Sequence, residues 1–144
     1  MTELLKRKSV DFLVEQFWRK GYLTLSRKFG TYLPEPISVG GFEVDIVARQ
    51  KNNYAIGLTL NDEDMKDHNP LLNKLKYLAT RQTRKGNMPV MLFVGVKKEN
   101  FTEVKMIIDQ LEENIRKNIK LFQITERQTI TKRRTIERTQ PLFS

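Results

Sequence analysis

Glu43 and Asp45 lie two apart in the run Gly40-Gly41-Phe42-Glu43-Val44-Asp45-Ile46-Val47-Ala48-Arg49. On a strand, period-two alternation sends both carboxylates out of one face, with Phe42, Val44 and Ile46 leaving the other. Paired carboxylates offer oxygen atoms that can contribute to a weak metal site. A second run, Tyr54-Ala55-Ile56-Gly57-Leu58-Thr59-Leu60, follows the polar stretch Gln50 to Asn53, so the two segments read as a β-hairpin. The second strand adds neither an acid nor a base. Gly57 has no side chain, and Thr59 carries no charge.

The elements that must position this hairpin follow from hydrophobic spacing. Val10, Leu13, Val14, Phe17 and Trp18 form an apolar stripe that predicts a helix over 9–20 with Trp18 in the core, stopped by Gly21. Asp11 and Glu15, four apart, border that stripe. Tyr22 to Lys28 reads as a strand, and Gly30 to Gly41, with Pro34 and Pro36, as a loop. Gly40-Gly41 is a turn, since no helix start or further glycine pattern follows it. Pro70 suits the first turn of a helix reaching about Lys85, with Gly86 as its stop. Met88 to Val96 is almost continuously apolar, the pattern of a strand buried on both faces. A helix from Asn100 or Thr102 to about Lys117 and a short strand around Leu121, Phe122 and Ile124 complete the pattern. The expected fold class is α/β, a central mixed sheet flanked by helices on both sides.

In the order of these elements and in its hairpin, the chain resembles the PD-(D/E)XK nuclease superfamily, most closely its small members related to archaeal Holliday junction resolvases and the YraN-like proteins. In that family a strand reading roughly G-G-E-I-D-hydrophobic-A pairs with a strand carrying E-x-K. Asp45 falls on the first motif's aspartate, and Gly57 and Thr59 fall on the glutamate and lysine. The resemblance covers roughly residues 4 to 124 and implies a restriction-endonuclease-like fold. It also implies that a helix acid, the Asp and the Glu would hold Mg²⁺ while the Lys orients water at the scissile phosphate. Asp45 and Glu43, with Asp11 or Glu15 from the first helix, are then the vestigial catalytic positions, and Asp45 and Asp11 the metal ligands. Acids beside an apolar stripe are as often simply solvated. Replacement ligands, if any, would come from Asp62, Glu63, Lys74 or Gln82; a glutamine at a core edge is otherwise a backbone partner. Gly57→Glu with Thr59→Lys is the corresponding reconstruction.

At 144 residues the chain fits one domain, taken as 1–124, followed by a tail or arm over 125–144 of different composition. It contains no cysteine, which excludes disulfides, thiol catalysis and cysteine zinc sites. No apolar run approaches the length of a membrane span, and Met1 to Ser9 lacks the apolar core of a signal peptide. The expectation is a soluble cytoplasmic protein without a resident cofactor, Mg²⁺ entering only if it is an enzyme. His68 has no second histidine or cysteine to complete a site and reads as a loop residue.

The 26 Lys and Arg outnumber the 17 Asp and Glu, giving a net charge of +9 that favours an anionic partner, nucleic acid and DNA in particular. Lys74, Tyr77, Arg81 and Arg84 share one face of the predicted second helix, where basic side chains at helical spacing can follow a phosphate backbone. The same pattern also describes an ordinary solvated helix face. Arg133 and Arg134 place further positive charge in the tail, which is either a basic extension or a β-arm completed by a second copy in a homodimer. Three functions are therefore carried forward. They are a catalytically degenerate nuclease-fold protein that binds nucleic acid through phosphates, an active Mg²⁺-dependent endonuclease with relocated ligands, and a homo-oligomeric interaction subunit that binds no nucleic acid.

Overall fold

The computed structural model describes residues 3–84 and 86–124. The tail, with Arg133 and Arg134, and the end of the second predicted helix at Lys85 lie outside the described residues. The chain runs α1 (Glu3–Arg19), β1 (Leu23–Arg27), β2 (Ile46–Gln50), β3 (Asn53–Thr59), α2 (His68–Ala79), β4 (Met91–Lys97), α3 (Lys98–Asp109), α4 (Glu113–Arg116) and β5 (Ile119–Ile124). The five strands form one sheet in chain order. β1, β2 and β3 pair antiparallel, and β4 and β5 then join in parallel, each reached through a helical crossover. The expected α/β class with a mixed, helix-flanked sheet is observed. Among the described residues no helix is long and apolar enough to cross a membrane.

Two apolar layers hold the sheet. On one face Val10, Leu13 and Phe17 of α1 meet Ile46, Ala48, Ala55 and Phe93. Phe17 stacks on Phe93 with centroids 4.2 Å apart, and Tyr22 closes on both rings edge-on. On the other face Leu71, Leu75 and Leu78 of α2 and Val104 and Ile107 of α3 cover Ile56, Leu58, Leu92 and Val94. Trp18, expected in the core, is 74% exposed. It neighbours Phe17, whose ring already fills the space between α1 and Phe93, so the apolar stripe is one residue narrower than its sequence implies.

Several element ends differ from expectation for local reasons. α1 begins six residues earlier than predicted, at Glu3. Regular β2 begins only at Ile46, because the chain bends at Asp45: Val44 enters the α2–α3 layer while Ile46 enters the α1 layer. The two side chains expected on a common face therefore part. α2 ends at Ala79, where Thr80 Oγ1 donates to the Lys76 and Tyr77 carbonyls and Asn118 Nδ2 donates to Ala79 O. Gly86, expected to stop that helix, instead lies with Asn87 at positive φ in the turn between the bridged residues Gln82 and Pro89. Gln82 is exposed there rather than at a core edge. The third predicted helix breaks after Asp109, which lets both Leu111 and Ile115 reach the core. The bridge between Val39 and Phe42 encloses Gly40 and Gly41, both at positive φ, confirming the turn.

Candidate functional site

At the end of the sheet where β3 finishes and β2 begins, Asp45 is only 2% exposed. Its Oδ2 accepts hydrogen bonds from Thr59 N–H at 2.7 Å, from Thr59 Oγ1 at 2.8 Å and from Lys6 Nζ at 3.0 Å. Lys6 Nζ also donates to Thr59 O at 3.0 Å and to Thr59 Oγ1 at 2.5 Å. All three protons of one ammonium thus have acceptors within a buried corner. Lys28 Nζ lies 3.6 Å from Asp45 Oδ1 and 3.3 Å from Glu43 Oε2, so a second ammonium bridges the two carboxylates.

These charges dispose of each other. Burial pushes the Lys28 ammonium down, but the Asp45 charge, and after it the hydrogen bond and charge of Glu43, outweigh burial and raise its pKa above the ordinary lysine value. No buried side-chain polar atom among the described residues is left without a partner. Asp45 Oδ2 is held by three direct hydrogen bonds, and Oδ1 faces the Lys28 ammonium at 3.6 Å.

The structure brings some of the sequence candidates together and separates others. Asp45, Gly57 and Thr59 meet as expected, since Asp45 N–H donates to Gly57 O at 2.9 Å and Thr59 binds the carboxylate. Gly57 does not face a cleft. A Cβ added to it would stand 2.8 Å from both Ile46 Cβ and Phe17 Cε2, so the glycine is where α1 presses on the sheet. Asp11 and Glu15 do not reach Asp45: Asp11 pairs with Arg27 and Glu15 with Arg19 at 2.9 Å. The α1 residue that does reach it is Lys6, a base where an acid was expected. Asp62 pairs with Lys97 and Glu63 with Lys66 on the exposed surface, and neither lines the cavity beside Asp45. His68 opens α2 rather than lying in a loop, and its Nε2 is 3.6 Å from Glu103.

The residues missed by sequence reasoning are Glu3, Lys6, Lys28 and Asp64, which border one cavity of about 430 Å³ with Glu43, Asp45 and Lys74. Lys6 had a signal. It precedes Val10, Leu13 and Phe17 by four, seven and eleven residues, so it occupies a position of the buried stripe. Asp64 is fixed by a reciprocal pair of bonds, from Asn61 N–H to Asp64 Oδ2 and from Asp64 N–H to Asn61 Oδ1. Among the described residues, no three His, Cys, Asp or Glu side chains stand close enough to hold a metal ion.

The expected basic helix face is divided. Lys74 borders the Asp45 cavity, whereas Arg81 and Arg84 lie beyond the end of α2, on the rim of a separate groove at the opposite end of β2 and β3. Tyr77 is packed rather than offered to a partner, with Phe42 on one side and the Arg81 guanidinium 3.7 Å from its ring centroid on another. Gly40 is required here, because any Cβ at that position would overlap the Tyr77 ring. The chain matches no family model, no curated protein and no solved structure.

Proposed function

We propose that this protein is a nuclease-like domain of restriction-endonuclease type that binds nucleic acid, DNA in the first instance, largely through phosphate contacts and does not cleave it. The observation that carries the reading is Lys6 Nζ on Asp45 Oδ2, where the resemblance would place a metal ion. An ammonium supplies the positive charge the buried aspartate needs, but it cannot bind water as a Lewis acid or bridge to a phosphate oxygen. The order of α1, an antiparallel β1–β2–β3 unit and parallel β4 and β5 agrees with that fold type. Net charge of +9 supports an anionic partner.

Purified protein incubated with branched, single-stranded or duplex DNA in Mg²⁺ or Mn²⁺ is expected to leave every substrate intact. Cleavage that disappears on Asp45→Asn, in a variant whose melting curve shows it folded, would instead support the active reading with relocated ligands. Binding to duplex DNA is expected to weaken with salt, with a log–log slope of about −0.9 per phosphate neutralised. Replacing Lys74, at the Asp45 end of the sheet, together with Arg81 and Arg84, at the other end, by Ala is expected to reduce that slope by about 0.9 for each of the three that contacts a phosphate, with little change in sequence preference. If Arg133→Ala with Arg134→Ala removes the salt dependence and the triple variant does not, the tail is the contact and the domain is not.

A further inference from the structure

The end of the sheet opposite Asp45 carries an open groove of about 840 Å³. It exists because α2 stops at Ala79, leaving the far ends of β2 and β3 covered by the segment that contains the Gln82–Pro89 bridge instead of by a helix. Arg49, Lys51, Arg81 and Arg84 stand around it, and none of the described lining residues is acidic. Among the described residues no carboxylate pairs with any of these four cations, in contrast to Lys6, Lys28 and Lys97. The floor is apolar. Val47 and Tyr54 are half-buried, Val90 is buried, and Met88 is 44% exposed at the edge.

The arrangement of these groups narrows the ligand. Arg49 on β2 is directly opposite Tyr54 on β3, so a guanidinium and a phenol ring stand side by side above the same sheet face. Arg81 has its Nε–H donating to Tyr77 O at 2.9 Å while its guanidinium lies over the Tyr77 ring, which fixes that plane at the rim. A ligand that satisfies the site must bring several negative charges spaced along a chain and flat apolar groups that turn inward. Single-stranded nucleic acid has both, whereas a duplex keeps its bases stacked inside and can offer the floor nothing.

We propose that this groove binds the unpaired nucleotides of a single-stranded nucleic acid, with phosphates at Arg49, Lys51, Arg81 and Arg84 and bases against Val47, Tyr54 and Met88. The proposal rests on the nucleic-acid-binding reading above and adds to it a second site that prefers single strands. It is remote from Asp45, so it needs no catalytic centre.

The test measures fluorescence anisotropy of a labelled oligothymidylate, an abasic oligomer of equal length and a duplex, with the full chain and with its Arg49→Glu, Lys51→Glu variant, which leaves the duplex-contact residues Lys74, Arg81 and Arg84 in place. Both substituted residues are exposed, and an unchanged melting temperature verifies the fold. Affinity for oligothymidylate is expected to fall at least about 30-fold in the variant, while duplex affinity changes less than about threefold; the wild type should hold the abasic oligomer about tenfold more weakly than oligothymidylate. Equal loss for duplex and single strand, or equal wild-type affinity for abasic and thymidine oligomers, overturns the groove and leaves general phosphate binding standing. Absence of binding to all three nucleic acids overturns both readings. Binding to vesicles containing phosphatidylglycerol that the variant abolishes, with oligonucleotide affinity unchanged, assigns the groove to a membrane surface and also overturns the proposal.

Discussion

Lys6→Met is expected to destabilise the fold by about 2–4 kcal/mol and Asp45→Ala by about 3–5 kcal/mol, read from urea unfolding. Removing one partner of a buried ion pair leaves the other uncompensated, fully for the buried Asp45 carboxylate and partly for Lys6, whose side chain is 21% exposed, and this costs more than the pair contributes net. Asp45 loses the greater amount because its absence also leaves Thr59 N–H buried and strips Lys6 of an acceptor. Lys6→Met retains two Thr59 bonds to the carboxylate and Lys28 at 3.6 Å from Oδ1, which moderates the loss. The double variant Lys6→Met, Asp45→Leu removes both charges together, so its cost should fall below the sum of the single costs by about 2 kcal/mol or more. Additive effects would show that the two groups are independent and that the ammonium does not balance the aspartate. The wild type should also melt at the same temperature in millimolar Mg²⁺ as in chelator, because a cation that bound the native state would raise it.

Which parts of this site were readable in the sequence depended on whether local pattern or packing decided them. The hairpin was legible because two β-rich runs are separated by a short polar turn, and the pairing of Ile46 with Gly57 and Arg49 with Tyr54 follows from that turn. Apolar spacing likewise located α1, α2 and β4, although not their ends. The meeting of Asp45 with Thr59 followed from the hairpin. Lys6 is not legible because the apolar residues that predict the helix begin at Val10, and a lysine one turn earlier in the same stripe reads as part of a polar terminus. The bend at Asp45, which turns Val44 and Ile46 to opposite layers, has no signal in an alternating sequence. The basic helix face failed for a tertiary reason. The Thr80 hydroxyl and the Asn118 side chain satisfy carbonyls in the last turn of α2, and the chain then departs before Arg81 and Arg84 can join Lys74.

Gly57 decides between a degenerate cleft and a closed one. On the proposed nuclease-like reading, a site that differed from an active one only in its side chains would be rebuilt at little cost by Gly57→Glu with Thr59→Lys. The packing excludes that outcome. A Cβ at residue 57 meets Phe17 and Ile46 at 2.8 Å, and neither is the free end of a flexible chain, since Phe17 is fully buried and stacked on Phe93. Gly57→Ala alone should therefore cost about 1–3 kcal/mol by overpacking. Gly57→Glu adds a carboxylate beneath α1 between the buried side chains of Phe17 and Ile46, and its cost should reach about 5 kcal/mol or more, close to the whole stability of a small domain. Thr59→Lys compounds it, because Thr59 is 3% exposed and already holds Lys6, so a second ammonium would be forced against the first. Thermal melts should show Gly57→Ala folded at a lowered temperature and the double variant unfolded or aggregated. Phe17→Leu should recover part of the Gly57→Ala loss, since the two side chains compete for one volume. A folded Gly57→Glu, Thr59→Lys protein that binds Mn²⁺ would mean instead that α1 lifts from β3 in solution and that the space beneath it is still a cleft.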